Sequence, residues 1–356
     1  MYLIYVVLVL CFQQLTIGQT ENVDSCKLLG DENGKCVIID KCPYAQNLLK
    51  KKIFPKICGF EGKSPVVCCQ EEKRQQIYMK PGQLSSEKCN EYYPKPDEQD
   101  VEVLVPGGKP SAVREFPHMA VIGFGDKDNI QWQCGGSLIS RNFVLTAAHC
   151  LFSRELGPAK FVRLGDLDIT TDADQTEPQN FTIKRRIPHP EYKNPSRYND
   201  IGLVELDKQI TRTGYVNMAC LDTTRHHDEK SMTAIGWGKT EFIGDFSNLL
   251  LKADLDLVEY HTCNKSYAGM PGKELLRGIV DDMHICAGGK PEQDTCQGDS
   301  GGPLQIRVQN RRGWYNYYNI VGITSFGKAC GISRTPGVYT RVYNYLQWIE
   351  SIVWPS

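Results

Sequence analysis

From residue 105 onward, short apolar runs alternate with turn-forming residues. The runs span residues 119–124, 143–146, 161–164, 201–206, 249–258, 320–324 and 338–342. Short apolar runs bounded by turn residues are typical of β-strands. A helical spacing of apolar positions is found near the end, at Tyr343, Leu346, Ile349 and Val353. The pattern therefore predicts an all-β unit that closes with a C-terminal helix.

Cysteine content and a hydrophobic leader indicate an oxidising compartment. The chain has 356 residues, of which 15 are cysteine, and such chains are typically secreted and disulfide-bonded. The first 18 residues contain an apolar run over 3–15, shorter than the roughly 18 residues that a membrane span requires. This predicts a cleaved signal peptide over residues 1–18 and no membrane span. A signal anchor is the alternative, because the usual charged start is missing.

The segment 26–69 is small and rich in cysteine, and it is too short to fold on a hydrophobic core alone. Its cysteines are Cys26, Cys36, Cys42, Cys58, Cys68 and Cys69. Because the segment holds no histidine, disulfides are favoured over a metal site, although spacing alone leaves the connectivity open. The basic run Lys50, Lys51 and Lys52 is either a partner contact or a solvated face.

Residues 70–104 are polar, contain few apolar side chains and hold one cysteine, Cys89. This composition predicts a linker. The whole chain carries 41 Lys and Arg residues against 42 Asp and Glu residues. A nucleic-acid-binding surface is not expected, because such surfaces need a broad basic field.

Three short motifs carry the residue types that nucleophilic catalysis requires. Ser300 lies in Gly-Asp-Ser-Gly-Gly, His149 in Thr-Ala-Ala-His-Cys, and Asp200 in Asn-Asp-Ile-Gly-Leu. A serine hydroxyl is a poor nucleophile unless a base removes its proton, and histidine has a suitable pKa. A carboxylate can orient that histidine. Each motif alone is compatible with an ordinary loop, but together they predict a serine hydrolase.

The order His149, Asp200, Ser300 resembles that of the trypsin-like serine proteases, and the resemblance extends from Val105 to the C-terminus. It implies two six-stranded antiparallel β-barrels with the active site in the cleft between them. It also implies that the backbone N–H groups of Gly298 and Ser300 form an oxyanion hole, and that no cofactor is required.

The resemblance places the primary specificity pocket at three positions. Asp294 precedes Ser300 by six residues, where an aspartate implies a pocket base that pairs with a substrate arginine or lysine. Gly327 and Gly337 imply pocket walls with room for a long side chain.

Activation of such proteases frees a new N-terminus, and the resemblance implies a cut between Leu104 and Val105. The new ammonium of Val105 would pair with Asp299, a carboxylate that is costly to bury unpaired. The chain departs from the family here, because Leu104 does not suit a trypsin-like activator and Pro106 fixes φ and lacks an N–H. The sequence predicts an activator with chymotrypsin- or elastase-like preference, or a different regulation.

The adjacent cysteines at 68 and 69, just upstream of a protease, are similar to the end of the clip domain of arthropod serine proteases. This resemblance and that of the protease domain imply the pairs Cys26–Cys68, Cys36–Cys58, Cys42–Cys69, Cys134–Cys150, Cys263–Cys286 and Cys296–Cys330. Cys89 and Cys220 are left over, and elimination together with the resemblance pairs them. Such a bridge would keep the clip segment attached after a cut at Leu104.

Two weaker signals concern calcium and glycosylation. One loop is crowded with carboxylates at a place where some relatives bind calcium: Asp166, Asp168, Asp172, Asp174 and Glu177. A structural calcium ion is one interpretation, and an acidic exposed loop is the other. Asn180 and Asn264 begin glycosylation motifs, which are modified where the asparagine is exposed.

The predicted organisation is a signal peptide over 1–18, a clip domain over 26–69, a linker or light chain over 70–104 and a trypsin-like protease domain over 105–356. The predicted function is that of a secreted zymogen whose endopeptidase cleaves after Arg or Lys in a haemolymph cascade of immunity, melanisation or patterning. Expected partners are a downstream zymogen or cytokine precursor, an upstream activating protease and a serpin inhibitor. The alternatives are a non-catalytic cofactor or binding protein, a digestive enzyme and a venom protease.

Overall fold

The computed structural model divides the chain into two compact units, Met1–Met79 and Lys80–Ser356. It describes residues 25–28, 33–51, 53–70, 80–93, 114–171, 176–238, 247–270, 272–289, 299–309, 316–327 and 335–355. The predicted signal peptide and the Leu104–Val105 bond lie outside the described residues.

The first unit is a four-stranded antiparallel sheet with one helix. Its elements are β1 (Ser25–Lys27), β2 (Asn33–Ile38), α1 (Pro43–Lys50), β3 (Ile57–Glu61) and β4 (Ser64–Gln70). The strand order is β1-β2-β4-β3. The disulfides are Cys26–Cys68, Cys36–Cys58 and Cys42–Cys69. Because its buried cluster contains only Cys42, Ala45, Val67 and Cys69 among the described residues, covalent bridges must contribute much of its stability.

The first barrel of the second unit has six strands and closes on itself. The strands of this region are β5 (Met119–Asp126), β6 (Asn129–Leu138), β7 (Phe143–Thr146), the short hairpin β8 (Phe152–Ser153) and β9 (Gly157–Pro158), β10 (Phe161–Leu164), β11 (Gln179–Pro188) and β12 (Gly202–Leu206). The barrel order is β10-β11-β12-β7-β6-β5, and β5 pairs with β10 to complete it. Ile122, Leu164 and Leu203 are completely buried in its core.

The second barrel also has six strands and closes on itself. Its strands are β13 (Cys220–Leu221), β14 (Ser231–Gly236), β15 (Leu251–Val258), β16 (His284–Ala287), β17 (Pro303–Gln309), β18 (Asn316–Phe326) and β19 (Gly337–Arg341). The order is β18-β17-β14-β15-β16-β19, with β18 pairing to β19 and β13 added in parallel beside β18. The predicted all-β fold of two six-stranded barrels is confirmed.

Among its described residues, the second unit has three α-helices: α2 (Gln83–Tyr92), α3 (Tyr260–Ser266) and α4 (Leu346–Val353). Helix α4 is the predicted C-terminal helix. Leu346, Ile349 and Val353 are buried together with residues of the first barrel, as their three- and four-residue spacing requires. The predicted position Tyr343 lies one turn earlier, in a 3-10 helix at Val342–Tyr345.

Helix α2 lies within the segment that the composition predicts to be a linker. Its Ser85 is buried, and so is Tyr93 directly after its last residue. The disulfide Cys89–Cys220 joins the helix to β13. The sequence did not predict this helix, because contacts with distant parts of the chain stabilise it and the helix has no apolar stripe of its own.

Two further bridges lie within the second unit, Cys134–Cys150 and Cys263–Cys286. Together with the three of the first unit and Cys89–Cys220, they are six of the seven predicted pairs. Cys296 and Cys330 lie outside the described residues, and their pairing stays a prediction.

Two buried histidines make the second unit sensitive to acid. Burial lowers the pKa of His118 to about 4, although its hydrogen bond to Gln305 (Nε2 to Oε1, 2.7 Å) opposes the shift. Burial also lowers the pKa of His284 to about 4, although its bond to the Arg197 carbonyl opposes the shift. Both side chains are therefore neutral in the folded protein at neutral pH.

We expect this unit to lose stability as the pH falls from about 6.5 towards 4. In that window each of the two histidines binds a proton in the unfolded chain but not in the folded protein. Each therefore lowers the free energy of unfolding by roughly 2 kcal/mol between about pH 7 and pH 5. Urea unfolding at the two pH values measures the loss. A His118→Gln variant keeps an amide donor for Gln305 but cannot titrate, so its loss should be smaller. An equal loss in the variant and the parent would exclude His118 as a source.

Candidate active site

His149 lies at the end of the first barrel, on a 3-10 helix (Ala148–Leu151) that is separated from β7 by Ala147 alone. The neighbours Ala148, Cys150 and Leu151 are buried, and the Cys134–Cys150 bridge ties the helix to β6. The His149 side chain is 25% exposed. The backbone is thus held firmly while the imidazole still reaches solvent.

Asp200 is almost completely buried, with a side chain 1% exposed. Its Oδ1 accepts the His149 backbone N–H (2.9 Å), and its Oδ2 accepts His149 Nδ1 (2.8 Å). The Ser325 hydroxyl also donates to Oδ2, and the Thr340 hydroxyl donates to the Asp200 carbonyl (2.8 Å). The carboxylate therefore has donors on both oxygens, as a buried charge requires.

These contacts decide the ionisation of Asp200. Burial by itself would raise the pKa of this carboxyl, but the charge and hydrogen bonds of His149 and the Ser325 hydroxyl hold the pKa below its usual value. An ionised carboxylate can only accept hydrogen bonds, so the His149 proton must be on Nδ1. His149 Nε2 is then free to accept a proton.

The residue before Asp200 has an uncommon backbone conformation. Asn199 has φ of 55°, a region that asparagine enters more readily than most residues. Its Oδ1 accepts the Tyr345 hydroxyl (3.1 Å). This contact helps to fix the turn that presents Asp200 to His149.

Ser300 lies in a turn that packs against the first barrel. Gly135 of β6 donates its N–H to the Ser300 carbonyl (2.8 Å). Gly301 has φ of 78°, and a Cβ on it would lie 2.2 Å from Thr146 Oγ1, so only glycine fits there. The Cys150 sulfur lies 3.7 Å from His149 Nε2 and 3.4 Å from the Ser300 carbonyl oxygen. The imidazole and the serine backbone thus meet at the same disulfide.

Asp299 is enclosed by glycines. Gly238 donates its N–H to Asp299 Oδ1 (2.9 Å). A Cβ on Gly236 or Gly238 would lie 2.0 Å or 2.5 Å from this carboxylate. The close approach of the backbone to a carboxylate therefore depends on glycine at both positions.

The remaining predicted site residues are only partly described. Gly327 follows β18 and is exposed, with nothing within 4 Å of a Cβ built on it. Gly337 begins β19, is buried and pairs with Ala287. Asp294 and Gly298 lie outside the described residues, as do Leu104 and Val105.

Among the described residues of the acidic loop, no group of carboxylates is close enough together to hold a calcium ion. The buried Asp166 carboxylate forms an ion pair with Arg163. Asp168 Oδ1 accepts the Thr170 N–H (3.0 Å) and hydroxyl (2.6 Å). Among the described residues, the groups that bring three ligand atoms together contain disulfide cysteines, not several carboxylates. Asp172 and Asp174 lie outside the described residues, and the exposed Glu177 completes no carboxylate cluster among those described.

The two glycosylation motifs differ in their surroundings. Asn180 is exposed on β11. Asn264 is partly buried in α3, where its Oδ1 accepts the Ile279 N–H (2.9 Å) and lies 2.4 Å from where a Cβ on Gly278 would be. Asn180 is therefore the better placed acceptor.

Comparison with known proteins identifies the family. The profile described as Trypsin matches residues 105–349. Serine protease snk of Drosophila melanogaster is 38% identical over 320 residues, covering 83% of this chain and 70% of the relative. Phenoloxidase-activating factor 1 of Holotrichia diomphalia is 32% identical over 375 residues, covering 98% of each chain. The chain belongs to the arthropod clip-domain serine proteases of the trypsin family.

CLIP domain-containing serine protease B4 of Anopheles gambiae is also similar, with 32% identity over 352 residues, 91% of this chain and 90% of the relative. The clip-domain protease is accordingly a trypsin-like serine endopeptidase, and its family requires no cofactor. Among the described residues, no helix is both long and apolar enough to cross a membrane.

Sequence reasoning did not single out Ser325 and Thr340. Both come from the second barrel and donate to Asp200 near the first. Ser325 lies two residues before the predicted pocket residue Gly327, but neither residue belongs to a motif that names this role.

Proposed function

We propose that this clip-domain protease is the secreted zymogen of an endopeptidase that cleaves after arginine or lysine, with His149, Asp200 and Ser300 as its catalytic triad. The main support is the buried Asp200 carboxylate, which accepts His149 Nδ1 at 2.8 Å. That bond leaves Nε2 as the base beside the Ser300 turn. The pairing of this carboxylate with a histidine beside the Ser300 turn favours a catalytic role over that of a non-catalytic cofactor.

The proposed mechanism follows from these positions. Ser300 Oγ attacks the scissile carbonyl while His149 Nε2 takes the hydroxyl proton, and the imidazolium later gives that proton to the leaving amine. Asp200 keeps the imidazole in the productive tautomer and stabilises its positive charge. The backbone N–H groups of Gly298 and Ser300 stabilise the oxyanion.

Substrate preference is assigned to Asp294 at the base of the pocket, where a desolvated carboxylate pairs with a basic side chain. The open space around Gly327, where a Cβ would have no atom within 4 Å, is consistent with a pocket wall that leaves room for a long side chain. A leucine would leave the aspartate unpaired, which is costly. The enzyme should therefore not cleave its own Leu104–Val105 bond.

In this proposal another protease activates the zymogen by cutting the Leu104–Val105 bond. The freed Val105 ammonium would pair with Asp299, whose carboxylate already lies in the glycine-lined space at Gly236 and Gly238. The Cys89–Cys220 bridge would keep the light chain attached.

The biological setting is inferred from relatives. Their names include Phenoloxidase-activating factor 1 and Spaetzle-processing enzyme. A haemolymph cascade in melanisation or immunity, with a zymogen or cytokine precursor as substrate and a serpin as inhibitor, is consistent with those names.

One experiment tests activation and specificity together. The zymogen is incubated with immobilised trypsin, chymotrypsin or elastase, and the released protein is assayed on arginyl and phenylalanyl amides. We expect activity only after chymotrypsin or elastase, a heavy chain that starts Val-Pro-Gly-Gly, and a preference for arginine of at least about a hundredfold.

The matched control is the Ser300→Ala zymogen, which should be cut at the same bond and stay inactive. The Asp294→Ser zymogen should be cut at the same bond. The resulting enzyme should keep its serine nucleophile but lose the preference for arginine. An active heavy chain that begins elsewhere, or an enzyme that prefers phenylalanine, would contradict the proposal.

A further inference from the structure

The first unit carries a concentrated apolar surface that the protease mechanism does not use. Eight large hydrophobic residues are exposed among those described, and five of them lie in one short stretch of this unit. They are Leu49 (40% exposed), Ile53 (44%), Phe54 (83%), Ile57 (56%) and Phe60 (67%), and we call them the clip strip. Singly exposed apolar residues need no explanation, but a concentrated set indicates an interaction site.

The clip strip coincides with an open sheet edge. Ile57 and Phe60 belong to β3, which pairs with β4 and with no other described strand. The bridge Cys36–Cys58 fixes β3 to β2, and Cys68 donates its N–H to the Lys56 carbonyl (2.8 Å). These bonds hold β3 in place apart from a register shift between Ile57 and Gly59. Another strand can therefore pair with its outer edge without ordering the clip unit first.

The charges beside the strip are mainly positive. Lys50, Lys51, Lys56 and Lys63 are all exposed between or next to the apolar residues, against one exposed acid, Glu61 of β3. Lysines on an edge strand can simply prevent aggregation. That role does not explain two phenylalanines exposed by more than half, because a protective edge gains nothing from them.

We infer that the clip strip binds an extended acidic segment of a partner protein, which adds to the free edge of β3 as a further strand. The partner's carboxylates would face the lysines, and its alternate apolar side chains would cover Phe54, Ile57 and Phe60. An anionic membrane would satisfy the charge and the apolar residues but not the backbone groups of an edge strand. The strand edge therefore favours a peptide.

Fluorescence anisotropy with the full-length Ser300→Ala protein tests this. The probes are a pool of short peptides that alternate Asp or Glu with Leu, Val or Phe. A second pool carries lysine in place of the acids, and a third has alternate backbone amides methylated. Binding is expected for the first pool only, because the second has the wrong charge and the third cannot pair with a strand.

Variants locate the site. Phe60→Ser and Lys56→Glu should each weaken binding about fivefold or more. Leu276→Ser, which removes an equally exposed residue of the protease unit (78% exposed), and Lys35→Glu on β2 should not. Since the strip is exposed, the variants should fold, and the same substitutions in the wild-type enzyme should leave arginyl amide turnover unchanged.

Three results would overturn the inference. The first is that no acidic peptide binds more tightly than the peptides of the lysine pool. The second is binding that survives backbone methylation. The third is binding to vesicles of phosphatidylserine that depends on Phe60 while the peptides do not bind.

Discussion

Replacing Asp200 by asparagine is expected to lower kcat on an arginyl amide by about four orders of magnitude, the size of the loss for this change in a trypsin-class protease. His149 Nδ1 donates to Asp200 Oδ2, and this contact selects the tautomer. An asparagine amide can donate to Nδ1 instead, which moves the ring proton to Nε2. His149 could then no longer take the proton of Ser300.

The matched control is Asp207→Asn. Asp207 is exposed, and its Oδ1 accepts the Thr182 N–H (3.2 Å) on the first barrel, so its neutralisation should leave kcat unchanged. Both variants are compared at equal protein concentration after activation, with circular dichroism to verify the fold. An Asp200→Asn enzyme within about tenfold of the parent would show that Asp200 does not have the proposed role.

Short sequence motifs identify some residues of the site and not others. His149, Asp200 and Ser300 each lie in a short contiguous motif, so their proposed roles could be predicted from the sequence. Ser325 and Thr340 act on Asp200 from 125 and 140 residues away. Their role arises only when the second barrel packs beside the first, and no local pattern encodes that approach.

In the fold, too, the sequence predicts some elements and not others. Apolar runs predicted the strands because each run has one role, burial in a barrel core. Helix α2 lies in a polar stretch with no such pattern, so the sequence predicted a linker there. Its position depends on a carboxylate that is distant in sequence, Glu350 of α4, and on aromatic contacts after its last turn.

Glu350 supplies the N-terminal cap of α2 from the other end of the chain. Its Oε1 accepts the Ser85 N–H (2.7 Å) and hydroxyl (2.8 Å), and its Oε2 accepts the Gly82 N–H (3.3 Å). Glu350 is only 7% exposed and Ser85 2%. A helix N-terminus leaves several N–H groups without intrahelical partners, and a negatively charged side chain there is stabilising.

The opposite end of α2 is fastened by aromatic residues. The Tyr93 ring stacks on Tyr317 with 4.7 Å between centroids, and its hydroxyl donates to the Met218 carbonyl (2.5 Å). Trp354 Nε1 donates to the Tyr92 hydroxyl (3.3 Å). The helix therefore has non-covalent anchors at both ends, in addition to Cys89–Cys220.

Glu350→Ala is accordingly expected to destabilise the packing of α2 by about 3 kcal/mol, because buried donors lose a charged acceptor. The effect should be clearest with Cys89 and Cys220 both replaced by serine. In that background the backbone amides of α2 should stay protected from hydrogen exchange while Glu350 is present. They should exchange roughly a hundredfold faster or more once it is alanine.

Glu87→Ala is the matched control on the same helix, since Glu87 is exposed and, among the described residues, accepts a side-chain hydrogen bond from Gln83 alone. Its effect should stay within about 0.5 kcal/mol. Fast exchange of α2 in the double serine variant with Glu350 intact would mean that the disulfide alone holds the helix. Slow exchange in both backgrounds after Glu350→Ala would mean that the aromatic contacts suffice. Loss of protection only when Glu350 and the disulfide are both absent would show that each anchor holds α2 without the other.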